Sequence, residues 1–319
     1  MYNHKENLLK KLLLMGQQKA GKSSMHKVIF ACAPPKDLMQ IGVTTNVSQI
    51  QIKFMGNLKI HLLDIPGQPQ LLKQYLTEFK ETIFSNVEVL VYLFDVEMEG
   101  QSFTSEMNTF RSTLTNLSEY SPSSKVFILI NKFDKIKESD KKMVFERKYK
   151  RIIQEAEGLN IEVKDVFATC IWDETLYKAW SQIVQNLLPE RDIIRKSLKS
   201  LCNKCSCDEI VLFEKQSYLV IDFEDLSEKK DILKYERISN IIKQFKLSCK
   251  TAAIDIKTIM VKSKKFHVII EEFTQNTFIL LLFTDEKVYP AAIKHNLKYV
   301  QKLFKSNLGS DTDQLKLLL

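Results

Sequence analysis

A run of glycine, lysine and serine near the start of the chain has the spacing of a phosphate-binding loop. Residues 16–23 follow the pattern G-x-x-x-x-G-K-S, after a short apolar run and before a segment with helical spacing. Backbone N–H groups in such a loop point inward, and the positive end of the following helix favours phosphate oxygens. We therefore expect Lys22 to reach the β- and γ-phosphates, and the Ser23 hydroxyl to bind Mg²⁺. The expected nucleotide contacts of this loop are Gln18, Lys19, Ala20, Gly21, Lys22, Ser23 and Ser24.

A second motif, D-x-x-G-Q, begins at the end of an apolar strand. Asp64 can hold Mg²⁺ through water, and the Gly67 N–H can bond the γ-phosphate because glycine allows the backbone to approach closely. Gln68 can orient the attacking water, which with Lys22 makes it a candidate catalytic residue. Taken alone, the motif could also be a strand-end aspartate followed by a turn glycine.

A third motif, N-K-x-D, follows the buried strand expected at residues 125–130. The Asp134 carboxylate can accept two hydrogens from guanine N1 and N2, a donor pair that adenine lacks. Asn131 can tie its loop to the base and to the phosphate loop, and the Lys132 stem can cover the ring. A polar turn is the alternative for this motif alone. The order and spacing of the three motifs together favour a guanine-nucleotide site, which indicates GTP or GDP with Mg²⁺ as ligands.

The loop at residues 33–46 holds two further candidates for the metal. Either Thr44 or Thr45 can close on Mg²⁺ when the γ-phosphate is present, and we favour Thr44. Either can instead be an ordinary loop threonine. This loop and residues 65–75 are candidate switch segments that order in one nucleotide state.

Strand and helix signals alternate from residue 1 to 190, which predicts a mostly parallel six-stranded sheet with helices on both faces. Gly56-Asn57 has the composition of a two-residue hairpin turn. The strands are expected at 9–15, 49–55, 58–64, 87–96, 125–130 and 163–169, and the helices at 22–32, 70–84, 101–119, 138–157 and 173–188.

Pro189 closes this α/β unit, so we expect a P-loop nucleotide-binding domain at 1–190 and a smaller α+β domain at 191–319. The second domain shows no Gly-rich loop, metal-ligand spacing or catalytic triad. Residues 306–319 are expected to be a frayed tail. The expected elements are a linking helix at 191–207, strands at 209–214, 218–223, 254–261, 266–272 and 277–283, and helices at 235–249 and 290–306.

Composition fits two ordinary domains and argues against a membrane span. The chain has 319 residues, is 45% hydrophobic and carries a formal net charge of +8. No apolar run approaches the ~20 residues that a bilayer-spanning helix needs.

Residues 135–151 hold eight basic and three acidic side chains, a net +5. We interpret this segment as a solvated helix face beside an acidic partner rather than a nucleic-acid site, because aromatic residues do not interleave it.

Six cysteines are scattered, and three of them cluster at Cys202, Cys205 and Cys207. The cluster could be a zinc half-site or one packed face of a helix. We expect a reduced, intracellular chain. The absence of Gly at position 2 and of a C-terminal prenylation cysteine predicts that membrane association runs through a partner, without direct insertion.

The sequence resembles a known family of GTPases. The three motifs are similar to those of small GTPases, and two longer stretches resemble Rag GTPases of the A/B type. Residues 169–181 resemble their last guanine loop and final helix, and residues 238–249 resemble the main helix of their C-terminal domain. The likeness covers about residues 8–305. The sequence Trp-Asp-Glu-Thr at 172–175 separates the A/B type from the C/D type.

The resemblance implies a slow GTPase that converts GTP to GDP and phosphate and whose C-terminal domain is roadblock-like or longin-like. That domain would pair with a C/D-type Rag in an obligate heterodimer, held on the lysosome or vacuole by a roadblock-containing scaffold. The GTP state would recruit the TOR kinase complex when amino acids are abundant, until a GTPase-activating protein ends the signal. The resemblance also implies that Ile171 offers its backbone to guanine O6. It places the protein in the cytoplasm, peripheral on that membrane, and leaves the nucleus open as a second compartment.

Three positions depart from the family pattern. Asn131 stands where Rag proteins usually carry His, and Pro66 is reminiscent of the C/D type. Gln18 stands where Ras-like proteins have a small residue beside the γ-phosphate. We hypothesise that Gln18 crowds an incoming arginine finger and slows turnover; unchanged basal and stimulated hydrolysis in Gln18→Gly would contradict this.

Two alternative functions stay open. One is a GTP-binding scaffold with little hydrolysis, and the other is a less specific P-loop kinase or ATPase, against which Asp134 argues.

Overall fold

The computed structural model describes residues 9–38, 42, 46–53, 59–159, 161–188, 191–226, 234–251, 258–284, 289 and 291–298. The chain divides into two compact units. One comprises Leu9–Ile52 and Lys59–Ala179, and the other contains the described residues from Trp180 onward. The expected domain boundary between residues 190 and 191 stays a prediction.

The first unit is built on a six-stranded sheet with strand order β2-β3-β1-β4-β5-β6. The pairs β1–β3, β1–β4, β4–β5 and β5–β6 are parallel, which confirms the predicted α/β class. In chain order the strands are β1 (Leu9–Met15), β2 (Ser48–Lys53), β3 (Lys59–Asp64), β4 (Val87–Asp95), β5 (Lys125–Asn131) and β6 (Val163–Ala168), and the helices are α1 (Lys22–Phe30), α2 (Pro69–Thr77), α3 (Lys80–Phe84), α4 (Gly100–Tyr120), α5 (Lys141–Glu157) and α6 (Thr175–Gln185).

The central strands are almost continuously apolar because a parallel sheet is covered on both faces. In β4, seven successive residues from Val89 to Asp95 are buried. Helix α4 presents its apolar residues every three or four positions to this core. The ring of Phe110 packs edge-on against Tyr92 and Phe94, with centroids 4.8 and 5.3 Å apart. This packing sets the position of α4 against the sheet.

The second unit carries a five-stranded sheet of order β8-β7-β11-β10-β9, in which every pair is antiparallel. Helix α8 packs on it through Tyr235 and Ile242, which join the buried cluster that includes Val211, Phe213 and Leu280. An antiparallel sheet with packed helices is the predicted α+β arrangement and is consistent with a roadblock-like domain. The elements are α7 (Arg191–Cys205), β7 (Glu209–Glu214), β8 (Val220–Asp225), α8 (Lys234–Thr251), β9 (Thr258–Lys262), β10 (His267–Thr274) and β11 (Thr277–Phe283).

One element differs from expectation. The single helix predicted at 70–84 is two helices, α2 and α3, separated at Glu78 and Phe79. The Phe79 N–H bonds the Gln74 carbonyl, five residues back, instead of the partner four residues back. That wider turn leaves Phe79 at φ −104° and ψ 14°, so the helix stops and restarts.

Several expectations fall outside the described residues: the turn at Gly56-Asn57, the start of the strand at 254–261, and the tail at 306–319. Of the helix predicted at 290–306, residues 291–298 are described and helical. Among the helices that the structure describes, none combines the length and apolarity that crossing a bilayer requires.

Phe110 offers a test of the packing between α4 and the sheet. Replacing it with Ala should lower the free energy of unfolding by about 3–5 kcal/mol, because a fully buried ring leaves a cavity that its neighbours fill only partly. Phe110→Leu, which refills much of the space, should cost less. Urea unfolding of the two variants measures the difference. A loss below about 1 kcal/mol in Phe110→Ala would contradict the packing described.

Candidate functional site

A cavity of about 390 Å³ opens at the carboxyl ends of the parallel strands, where open α/β sheets bind their ligands. Its volume is within the usual range for small-molecule sites. Residues from all three sequence motifs line it, together with the loop after β6. The lining residues are Gln18, Lys19, Gly21, Lys22, Ser23, Ser24, Leu38, Gly42, Gly67, Asn131, Lys132, Asp134, Lys135, Ile171 and Trp172.

The phosphate loop runs from β1 into α1, and Gly21 makes that turn possible. Gly21 has φ 99°, a left-handed conformation that side chains disfavour. A Cβ atom at this position would stand 2.3 Å from the amide nitrogen of Asn131. Glycine is therefore required on two counts, backbone conformation and space. The turn also directs the first N–H groups of α1 toward the cavity.

The loop wraps around Lys22, the first residue of α1. Its buried ammonium donates to the Gly16 carbonyl at 2.6 Å and to the Gln17 carbonyl at 2.9 Å. Burial lowers the pKa of Lys22 to about 8, although the charges of Asp64 and Glu106 oppose the shift. A phosphate anion in the cavity would favour the charged form of this lysine.

Asp64 and Ser23 lie together beside Lys22. The Ser23 hydroxyl donates to Asp64 Oδ2 at 2.9 Å, while Asp64 Oδ1 is buried and has no hydrogen-bond partner among the described residues. Burial raises the pKa of Asp64, against the charge of Lys22 and the Ser23 hydrogen bond. Hard oxygen donors of this kind suit Mg²⁺, and an unpaired buried carboxylate oxygen fits a site for a cation. Asp64 and Ser23 could hold the ion, while Thr44, the third predicted ligand, lies outside the described residues.

The segment after β3 lies directly on the phosphate loop. The Gln18 N–H donates to the Gly67 carbonyl at 2.8 Å. A Cβ atom on Gly67 would stand 2.4 Å from the Gln18 nitrogen and 2.6 Å from the Lys22 ammonium. Gly67 thus allows an approach that any other residue would block. Gln68 follows in extended conformation immediately before α2; it is half-buried and does not line the cavity.

On the opposite side, Asn131 joins two loops to the phosphate loop. Its amide nitrogen donates to the Ala20 carbonyl at 2.8 Å, and its amide oxygen accepts from the Thr169 hydroxyl at 3.3 Å. Ala20 is buried behind the loop and does not line the cavity. Lys132 lies at φ 64° and lines the cavity, and its ion pair with Asp95 fixes the ammonium end of the side chain.

The loop after β6 folds on itself before α6 begins. The Cys170 N–H donates to the Thr175 hydroxyl at 3.1 Å, and the Thr175 N–H donates to Asp173 Oδ1 at 2.9 Å. These bonds hold Ile171 and Trp172 at the cavity wall, with Trp172 49% exposed. The predicted backbone contact of Ile171 with a base is therefore geometrically accessible.

The family model for the "Gtr1/RagA G protein conserved region" matches residues 11–242 of this chain. The chain belongs to the Gtr1/RagA family. The match begins in β1 and ends within α8, so it takes in all three motifs and parts of both units. It confirms the family that residues 169–181 and 238–249 predicted.

Comparison with three relatives agrees with this assignment. The chain is similar to Ras-related GTP-binding protein A of Dictyostelium discoideum, 37% identical over 95% of this chain and 99% of the relative. It is 34% identical to GTP-binding protein gtr1 of Schizosaccharomyces pombe, over 96% and 99% of the two chains. Ras-related GTP-binding protein C of Mus musculus is 22% identical over 73% of this chain and 57% of its own length. The higher identity to the A-type relative supports the A/B assignment within this GTP-binding protein family.

Sequence reasoning about this Gtr1/RagA family member missed three polar side chains. Asp95 pairs with Lys132, Thr169 bonds Asn131, and Glu106 accepts a hydrogen bond from the Gln17 N–H at 3.4 Å. Two signals could have found them. Asp95 is the last residue of a buried strand, the same position that Asp64 has in β3, and Glu106 is an acidic residue on the apolar face of α4.

The basic segment 135–151 is partly neutralised by acids of the same chain. Lys135 pairs with Glu97, Lys141 with Glu138, and Arg147 with Glu99. Such exposed pairs contribute little to stability. They do lower the net positive charge that this face of the family member presents.

The cysteine cluster at Cys202, Cys205 and Cys207 is buried in the second unit, as a packed helix face requires. The Cys202 and Cys207 sulfurs lie 3.2 Å apart, and the Cys202 thiol donates to the Cys207 carbonyl. Within the part of the chain that the structure describes, no three His, Cys, Asp or Glu residues are arranged to hold a metal ion.

His26 in α1 predicts how stability depends on pH. It is buried, its Nε2 has no hydrogen-bond partner among the described residues, and burial lowers its pKa from 6.5 to about 4. Between these values the unfolded chain binds the proton first, so stability falls as pH falls from 6.5 toward 4. From pH 7 to pH 5 the wild type should lose about 2 kcal/mol more than His26→Gln in urea unfolding. Parallel pH profiles for the two proteins would show that His26 is not the cause.

Proposed function

We propose that this chain is a Mg²⁺-dependent GTPase switch, the A/B-type subunit of a Rag heterodimer in nutrient signalling. The observation that supports it most directly is the single cavity lined by the phosphate loop, Gly67, the N-K-x-D loop and Ile171. These residues come from loops that follow four different strands of one sheet. Together they offer donors for phosphates at one end and a carboxylate for a base at the other.

Cleavage of the γ-phosphate depends more on positioning the attacking water and neutralising charge than on covalent catalysis. Lys22 supplies a buried positive charge, and the loop's N–H groups supply fixed donors around the phosphates. Ser23 and Asp64 would hold Mg²⁺, which would supply charge neutralisation at the phosphates. We propose that Gln68, immediately before α2, orients the attacking water in the GTP-bound state. We propose slow intrinsic turnover, because Gln18 lines the cavity and bonds Gly67, the residue that is proposed to contact the γ-phosphate.

Guanine recognition is assigned to the loop after β5. Asp134 lines the cavity on an exposed 3-10 turn, and Asn131 is held in place by two hydrogen bonds. A buried or bidentate carboxylate contact discriminates strongly between bases, since the wrong base leaves it unpaired. This favours GTP over ATP and argues against the alternative of a P-loop kinase or ATPase.

Asp134 therefore provides the test of nucleotide identity. Asp134→Ala should weaken GTP binding by about 10–100-fold, the value of a doubly hydrogen-bonded carboxylate, and leave ATP binding as weak as before. Glu138→Gln, a nearby exposed acid outside the cavity, is the matched control and should bind GTP as the wild type does. Fluorescent GTP displacement by unlabelled GTP or ATP measures all three proteins. Equal displacement by ATP and GTP from the wild type would contradict the guanine assignment.

The heterodimer proposal rests on family membership and on the surface of the second unit. Helix α8 exposes Ile241 and Phe245, with 68% and 50% of their surface accessible. Strand β9, the outermost described strand at one edge of the sheet, exposes Met260 and Val261. Exposed apolar groups and sheet edges favour association with a partner. We propose that the partner is a C/D-type Rag, joined through this C-terminal domain.

The cellular proposals follow from the family resemblance. A roadblock-containing scaffold would hold the heterodimer on the lysosomal or vacuolar membrane, and the GTP state would recruit the TOR kinase complex when amino acids are abundant. A GTPase-activating protein would end the signal. Cytoplasmic residence, peripheral on that membrane, is proposed together with these partners.

Affinity purification of the tagged full chain from its own cells tests these partners. We compare wild type with Ser23→Asn, which should weaken GTP binding through lost Mg²⁺, and Gln68→Leu, which should preserve binding and slow hydrolysis. A second GTPase should co-purify with all three, and TOR-complex components chiefly with Gln68→Leu. Single-turnover assays on the same proteins check the role of Gln68.

Recovery of the chain alone would remove the heterodimer, scaffold and TOR proposals while leaving the nucleotide site untouched. A normal hydrolysis rate in Gln68→Leu would instead remove the assigned role of Gln68. Negligible single-turnover hydrolysis by the wild type would favour the alternative of a GTP-binding scaffold.

A further inference from the structure

A carboxylate that the proposed mechanism does not use lies under the phosphate loop. Glu106 projects from α4, is 1% exposed, and accepts a hydrogen bond from the Tyr92 hydroxyl at 2.7 Å. The same oxygen accepts from the Gln17 N–H at 3.4 Å. Glu106 thus connects β4 and α4 to the backbone of the phosphate loop.

Burying this carboxylate costs desolvation free energy. Its other oxygen, Oε2, has no hydrogen-bond partner among the described residues. The charged groups that act on it are Lys22 of α1 and Asp95 at the end of β4. Burial raises the pKa of Glu106 to about 7, although the hydrogen bonds from Tyr92 and Gln17 and the charge of Lys22 oppose the shift. A buried polar group with incomplete partners destabilises a fold, so a role other than stability is the better explanation.

Two further hydrogen bonds connect Gln17 and its neighbour Gln18 to residues that are proposed to contact the phosphates. The Gln17 carbonyl accepts from the Lys22 ammonium, and the next residue, Gln18, donates its N–H to the Gly67 carbonyl. The peptide groups of 17 and 18 therefore link Glu106 to Lys22 and to Gly67. In the proposed function Lys22 contacts the β- and γ-phosphates, and Gly67 contacts the γ-phosphate.

We infer that Glu106 is a positioning residue for GTP, holding the Gln17–Gln18 segment so that Lys22 and Gly67 meet the γ-phosphate. The inference rests on the proposed nucleotide site and adds that Glu106 favours the binding of GTP over GDP. Because GDP lacks the γ-phosphate, loss of this contact should weaken GTP binding far more than GDP binding. A residue with only a structural role would affect both nucleotides alike.

The test compares affinities of the full chain for GDP and for a GTP analogue with a β–γ imido bridge. The double variant Glu106→Leu/Tyr92→Phe replaces the carboxylate and its buried hydroxyl donor with apolar groups, and leaves only the half-buried Gln17 N–H without this partner, so it should cost little stability. It should bind the analogue about 5–10-fold more weakly and GDP within about twofold, the loss of one weak charge-assisted hydrogen bond. Its melting temperature should stay near that of the wild type.

Two single variants and a control complete the design. Glu106→Gln keeps an oxygen that can accept from both donors and should restore the preference for the analogue. Tyr92→Phe alone, a conservative change, should shift the preference in the same direction by a smaller factor. Thr113→Val, on the buried face of the same helix and away from the loop, should leave the ratio of the two affinities unchanged.

The outcomes separate this inference from the proposed function. If the wild type binds both nucleotides and the variants lose both equally, or lose neither, the positioning role is overturned and the nucleotide site stands. If the wild type binds neither nucleotide, the proposed function fails and this inference fails with it.

Discussion

The hydrogen bond from the Asn131 amide to the Ala20 carbonyl is the interaction on which the site depends. It is buried, it measures 2.8 Å, and it joins residues 111 positions apart in the chain. It can form only because Gly21 has no side chain, since a Cβ there would occupy the place of the Asn131 nitrogen. A buried hydrogen bond between loops is costly to break because each group would be left unsatisfied. The phosphate loop and the N-K-x-D loop therefore keep one relative position.

The second constraint is charge. Asp64 and Asp95 end two parallel strands, Lys22 of α1 and Glu106 of α4 interact with them electrostatically, and each of the four is less than a tenth exposed. Such a concentration of ionisable groups opposes folding, and the pKa values of Lys22 and Glu106 shift toward the neutral forms. Phosphate groups and a divalent cation would supply the missing partners for Lys22 and Asp64. The site is thus built to be completed by a charged ligand, and nucleotide binding should stabilise the fold.

The two units differ in how they use their sheets. In the first, a parallel sheet is covered on both faces and its loops carry the chemistry, as open α/β sheets do. In the second, an antiparallel sheet carries α8, and apolar side chains of α8 and β9 remain exposed. An exposed apolar surface of this kind suits association better than catalysis. The division fits a family whose members bind GTP and are proposed to act in pairs.

The sequence by itself determined the fold class and the three motifs, because each depends on local spacing, and the resemblance of residues 169–181 and 238–249 indicated the family. Strand β1 and strand β11 begin and end where they were predicted, because their apolar runs at residues 12–15 and 278–283 are almost entirely buried in the two sheets. Only the tertiary structure decided which polar groups meet. The pairing of Asp95 with Lys132, the bond of Thr169 to Asn131 and the burial of Glu106 under Gln17 join residues far apart in sequence. The break between α2 and α3 likewise depends on one hydrogen bond to Gln74 that no residue pattern marks. Local periodicity determines elements, whereas contacts between loops follow from how those elements pack.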